Sequence, residues 1–406
     1  MNIIKKVSVI ALLAAVFISC SKQDSHKQHA QELAQKFIIV DGHVDLPIRL
    51  KYNWEDVSKE TGGDFDYLRA KEGGLNAPFM SIYISARYQK TGDAKAAADS
   101  LIDLVERIAA ENPDKFAIAT SPAEIKKQFK KGLISLPMGM ENGAPIGNDL
   151  SNIQYFYDRG IRYITLTHSK DNLIGDSSYD TSKDTHNGLS EFGEKVVREM
   201  NRVGIMVDVS HITDETFYDV MEVTKAPVIA SHSSCRHFTP GFERNMSDAL
   251  IKKLAENGGV IMINFGSTFI DSTSIESSKK VEAEIERLIA EKGWDPNSEQ
   301  AREFSESYFK EHFQYSTVEM VANHIDRVVD LVGINHVGLG SDFDGVGPTL
   351  PEGLKDVSDY PNLIAELLRR GYSGSDIKKI CSGNVFRVWN EVIEVAENLP
   401  VANVSK

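Results

Sequence analysis

The sequence predicts an α/β fold, a (β/α)8 TIM-type barrel with a mostly helical insertion. Three observations predict it. Eight short apolar runs read as strands, and segments of helical period lie between them. Six of the eight runs are followed at once by His, Asp or Glu. Continuous apolar runs, as opposed to clean alternations, suit strands buried on both faces of a parallel sheet. Eightfold strand–helix alternation suits a closed barrel. A doubly wound open sheet has the same periodicity and stays open as the alternative.

The chain opens "MNIIKKVSVIALLAAVFISCSKQ". Lys5 and Lys6 form a positive start, and the apolar run Val7–Ile18 is too short to span a bilayer as a helix. Residues 1–19 are therefore expected to be an export signal outside the fold. They look like a bacterial lipoprotein signal, with Cys20 as the lipid-bearing N-terminus of an exported, membrane-anchored protein. Phe17 departs from the Leu usual in such signals, and a plain signal with an incidental thiol is the alternative. Residues 20–36 are polar and without periodicity, and read as a tether. Residues 37–398 read as a single domain.

The strand runs are Phe37–Val40, Phe79–Ile84, Leu133–Met138, Tyr163–Leu166, Ile205–Val209, Val228–Ala230, Val260–Ile263 and Val337–Leu339. Ala94–Glu111 has amphipathic helical period. So does Ser190–Gly204, with Ser190 placed as an N-cap and Gly204 at the stop. Ser247–Gly259 and Ser316–Gly333 follow the same pattern. Ser267–Tyr315 is long, charged and mostly helical, and is expected to be an insertion over one end of the barrel.

The net charge of −14 argues against binding a phosphate backbone, so no nucleic-acid partner is expected. Beyond Cys20 only Cys235 and Cys381 remain, readable as a bridge or as two buried thiols.

In such a barrel the active site lies at the C-terminal strand ends. His43 and Asp45 follow the first run, Glu141 the third, His168 the fourth, His211 the fifth and His232 the sixth. Asp342 and Asp344 follow the eighth. His336 precedes its strand and so falls on the opposite face. Two apart on an extended segment, His43 and Asp45 point the same way and can converge on one metal ion. Imidazole nitrogen with carboxylate oxygen suits zinc or a similar borderline divalent ion. His211 and His232 supply imidazoles for a second ion, and Glu141 has two oxygens with which to bridge. Any one of these histidines alone is more simply a satisfied core or capping residue; the set at one face carries the argument.

At these residues the sequence closely resembles the membrane (renal-type) dipeptidase family of zinc metallopeptidases. The motifs are "DGHVDLP" (Asp41–Pro47), "GMENG" (Gly139–Gly143), "YITLTHS" (Tyr163–Ser169), "DVSH" (Asp208–His211), "VIASHSS" (Val228–Ser234), "ERNMSD" (Glu243–Asp248), "GLGSDFDG" (Gly338–Gly345) and "GNVFRVW" (Gly383–Trp389). The resemblance implies a dipeptide substrate and two zinc ions per chain, with His43 and Asp45 on one, His211 and His232 on the other, and Glu141 bridging. It implies that His168 binds substrate near the scissile carbonyl. Arg244 would receive the C-terminal carboxylate, and Asp342 would act as catalytic acid/base. It implies a homodimer. On residue type alone, Arg244 reads as a surface ion pair and Asp342 as a strand-end cap or a third ligand. Asp344 reads as a group orienting a neighbour.

Two departures touch pocket shape. "LNAPF" (Leu75–Phe79) stands where the family has a Gly-rich stretch, and Asn142 stands where a small residue is common. Two other functions compete. One is a metal hydrolase of cyclic amides or phosphoesters, which typically shows His-X-His on the first strand and a carboxylated lysine bridge. The other is a non-catalytic peptide-binding lipoprotein.

Overall fold

The computed structural model describes residues 26–182 and 185–399. The export signal (1–19) and Cys20 lie outside the described residues. Eight parallel strands form one sheet in sequence order. They are β1 (Ile39–Val44), β2 (Leu75–Tyr83), β3 (Met138–Glu141), β4 (Ile161–Thr165), β5 (Met206–Asp208), β6 (Ile229–Ser233), β7 (Val260–Ile263) and β8 (Val337–Leu339). The ends meet. Asp342 N–H donates to His43 O at 3.0 Å and Asp45 N–H to Phe343 O at 2.8 Å, so β8 is stitched back to β1 and the barrel closes. Closure decides between the two folds that strand periodicity left open.

Two expectations are corrected. The run Leu133–Met138 is not one barrel strand. Ile134–Leu136 pairs in parallel with Phe116–Ile118 in a separate two-stranded sheet, and the barrel strand begins at Met138. Pro137 stands between them; it has no N–H for a ladder, and its carbonyl accepts from Met80 N–H at 2.8 Å. The tether expected over residues 20–36 is a helix over 26–36. Ala30, Leu33 and Ala34 bury its inner stripe, and Gln31 and Gln35 donate to the carbonyls of Glu72 and Lys71. Its apolar stripe is one turn long, too short to stand out in a polar segment.

The helices at Glu191–Val203 and Asp248–Glu256 begin at Ser190 and Ser247, whose side chains accept from Gly193 N–H and Leu250 N–H. The insertion is helical at Ser272–Glu291 and Glu299–His312, around its own small core of Val281, Ile285, Ile289, Ala301, Phe309 and Phe313. The last helix, Asn384–Asn398, closes the N-terminal end of the barrel. Its buried Trp389 packs on Phe79, in one cluster with Val40, Tyr163, Ile229 and Val260 from the strands. With that end filled, the opposite end is left for chemistry. Cys235 and Cys381 are both buried free thiols. No helix among the described residues is long and apolar enough to cross a membrane.

Candidate active site

The strand ends bring His43, Asp45, Glu141, His168, His211, His232 and Asp342 to one cleft. Its cavity is about 380 Å³, within the range of small-molecule sites. Glu141 is at the centre. Its Oε1 lies 2.9 Å from His211 Nε2, 3.2 Å from His232 Nε2 and 3.6 Å from His168 Nε2; its Oε2 lies 3.6 Å from His43 Nε2. His43 Nε2 is also 3.6 Å from Asp45 Oδ2. Ligand-type atoms gather in three overlapping trios: His43–Glu141–His232, Glu141–His168–His211 and His43–Asp45–Asp342.

The tautomers follow from the hydrogen bonds behind the rings. Tyr163 Oη donates to Gly42 O at 3.0 Å, so at 2.8 Å it accepts from His43 Nδ1–H. His43 Nε2 then points into the cleft, where despite burial the neighbouring carboxylates hold the imidazole well above its usual value. This nitrogen is buried without a partner and faces two carboxylates. Gly139 on β3 makes this possible, because a Cβ there would run into the Tyr163 ring. His232 repeats the arrangement. Ser231 Oγ donates to Asp208 Oδ2 at 2.6 Å, and accepts from His232 Nδ1–H at 2.7 Å. His232 Nε2 then faces His211 Nε2 at 2.9 Å. Lone pairs and carboxylate oxygens aimed at one another repel unless a cation stands between them. One proton answers one such pair, whereas a divalent ion answers several at once. The donor set therefore fits divalent metal.

The same crowding sets the ionisation. Burial would raise Glu141, but the surrounding histidines, His168 and His43 foremost, hold it well below the carboxylate range. Burial holds His211 and His232 well below the usual imidazole value, helped by neighbouring cations that include Arg244. Burial likewise lowers His168. Burial, with Asp45 and Glu141, pushes Asp342 up to about 7 against the pull of His43. Asn264 Nδ2 holds Asp342 Oδ2 at 2.7 Å.

Arg244 is no surface ion pair. It is buried, donates to Ser233 Oγ and His232 O at 2.8 Å each, and lies 3.1 Å from His211 Nε2. Its Nε has no partner. Asp344 lines the cleft and binds Arg49 Nε at 3.0 Å. Asp344 and Asp64 each accept the other's backbone N–H, at 2.7 and 2.8 Å. His336 lies outside the cleft, its Nδ1 bonded to Gly259 O. Both departures are absorbed away from the cleft. Asn76 accepts from Ile39 N–H, and Asn142 donates to Ile84 O.

Sequence reasoning gave no role to Tyr163, Asp208, Ser231 and Asn264, which orient the ligand-type groups, or to Tyr83, Tyr179 and Phe269, which line the cleft. Asp208 and Ser231 stood inside quoted motifs, and their adjacency to histidines was the available signal. Backbone strain marks the same place. His211, Asp342 and Asp344 have φ of 71°, 64° and 65°, a region such residues rarely adopt.

Residues 27–403 match the family described as membrane dipeptidase (peptidase family M19). An uncharacterized dipeptidase of Schizosaccharomyces pombe is 33% identical over 380 residues, covering 89% of this chain and 83% of its own. The crystal structure of the probable dipeptidase PvdM from Pseudomonas aeruginosa superposes with a TM-score of 0.80 at 27% identity, over 92% of this chain and 100% of that one. A metallopeptidase from Rhodobacter sphaeroides, liganded with a phosphinate mimic of L-Ala-D-Ala, gives 0.71 at 26% identity, over 88% and 99%. On this evidence the chain belongs to the membrane dipeptidase family, peptidase family M19.

Proposed function

We propose that the protein is a binuclear zinc dipeptidase that accepts dipeptides with a C-terminal L- or D-residue. One observation carries the reading: imidazole nitrogens and carboxylate oxygens from four strand ends converge around Glu141. His43 and Asp45 would hold one ion, His211 and His232 the other, and Glu141 both. Bound there, such a pair supplies Lewis-acid polarisation of a carbonyl and acidifies water toward neutrality.

The chain's own groups do the rest. Asp342, whose carboxyl burial pushes up, takes a proton from water and returns it to the leaving nitrogen. His168, lowered by burial, is neutral at pH 7 and donates an N–H to the carbonyl oxygen. Arg244 offers charge-assisted bonds to the terminal carboxylate. A fixed span between that anchor and Glu141 restricts substrates to two residues. Tolerance of a D-residue draws on the ligand carried by the Rhodobacter sphaeroides relative. The reading includes export, a lipid on Cys20 holding the protein at a membrane surface, and a homodimer.

The test measures metal content and turnover on one purified sample, with L-L dipeptides, L-D dipeptides and a cyclic amide. About two zinc per chain with dipeptide turnover is expected. Metal without dipeptide cleavage, but with cyclic amide opened, would replace this reading with the other barrel hydrolases. Metal without any turnover would leave the peptide-binding lipoprotein. L-D substrates alone untouched would remove only the D-residue part.

A further inference from the structure

We infer that the N-terminal face of the barrel, opposite the active-site cleft, is a docking site for the phosphate headgroups of an anionic lipid surface. The face holds a second cavity, of about 600 Å³. Lys36, Lys126, Lys378 and Arg387 line it over an aromatic floor of Phe129 and Phe386, and no lining side chain is acidic. Lys126 Nζ stands 5.3 Å over the Phe386 ring. The three lysines are exposed, and none makes an ion pair among the described residues. Arg387 is fixed behind them by bonds to Gly258 O and Asn335 O and by Glu391. What sets this cavity apart is that three lysines and an arginine share one concave face with no acidic side chain lining it.

The position argues for the occupant. Lys36 ends the helix over residues 26–36, which packs beside Gly74 where β2 begins. The described part of that helix begins six residues after Cys20, and six residues reach at most about 20 Å. A lipid on Cys20 therefore keeps this basic face near the bilayer, where juxtamembrane lysines each add about fivefold to binding of anionic lipid. Docked this way, the cleft opens away from the membrane toward dissolved peptides. The inference rests on the proposed lipid anchor for its biological setting, but the pocket can be tested without it.

The experiment uses the chain from Ser21, without the acyl group; residues 26–399 close their own barrel core, so this chain retains the fold. It is sedimented with vesicles of phosphatidylcholine alone, or with a third phosphatidylglycerol, at low and high salt. Binding to the anionic vesicles only, weakened by salt, is expected. The triple variant Lys36→Gln, Lys126→Gln, Lys378→Gln should lose on the order of 100-fold in affinity while keeping its dipeptidase activity. A control of equal charge change, Lys279→Gln, Lys280→Gln, Lys310→Gln on the insertion, should bind as wild type does. Equal binding to both vesicles, or equal losses in the two triple variants, would overturn the inference. Displacement from vesicles by millimolar inorganic phosphate would overturn it too, marking a site for small anions. The mass of the mature N-terminus tests acylation of Cys20 separately, so failure of the anchor and failure of the pocket are distinguishable.

Discussion

Asp342 and Gly345 show how closely the cleft is built. A Cβ at Gly345 would collide with Asp45 Oδ2 and Asp342 Oδ1, so only glycine lets the two carboxylates stand this close. Gly345→Ala is expected to lower turnover by pushing Asp342 off its bond to Asn264, with circular dichroism unchanged. Asp342→Asn removes the proposed proton carrier and keeps the shape; kcat should fall by about 10²–10⁴-fold with metal content retained. Loss of metal in that variant would instead make Asp342 a ligand. Ser231→Ala cuts the link between Asp208 and His232 Nδ1. The expected result is zinc affinity weaker by about 10–100-fold in a competition titration with a chelator. The ligand-type residues were legible because each follows an apolar run. Their orienting partners were not, because Tyr163 and Gly139 lie within strands where apolar and small residues are already expected.

Between elements, the cleft depends on a latch joining the two ends of the barrel. Arg49, on the helix Leu46–Tyr52, reaches Asp344 beyond β8, Glu55, and Phe65 O. The reciprocal backbone bonds of Asp64 and Asp344 close the same seam. Arg49→Met would leave the Asp344 carboxylate buried without its cation, a change that typically costs about 3 kcal/mol or more. A lower urea midpoint is expected, with a fall in kcat as the Asp342 loop loosens. An unchanged kcat beside a lower midpoint would make the latch purely structural. Elements with long, even periodicity were read correctly, as the helices after Ser190 and Ser247 show. The element at 26–36 was not, because a single turn of apolar stripe gives little periodic signal.

Over the whole molecule, His324 joins three parts that are distant in sequence. Its Nδ1 accepts from Cys235 N–H and its Nε2–H donates to Ile270 O, at 2.9 Å each, so the buried ring is neutral. Burial pushes it down to about 4. In the unfolded chain it titrates near 6.5. Between those values the unfolded chain holds the extra proton, so this contribution to stability is complete above about pH 6.5 and is lost as pH falls toward 4. The gap is roughly 3 kcal/mol. His324→Gln should flatten the fall in urea midpoint across that window; an unaltered slope would assign acid sensitivity elsewhere. Metal acts at the same scale. Stripping it with a chelator should abolish turnover and lower Tm, because a ligand bound only to the folded chain stabilises it. Zinc added back should restore both.

The sequence by itself determined the strand–helix alternation, the face on which the chemistry-bearing residues fall and, through motif order, the family. Those properties are local or periodic, so they can be read one segment at a time. Tertiary structure alone decided that the sheet closes, since closure rests on His43 meeting Asp342 across nearly the whole chain. It also decided which nitrogen of His43 and of His232 faces the cleft. A tautomer is set by what stands behind the ring, and Tyr163 and Ser231 reach those places only when the strands are side by side.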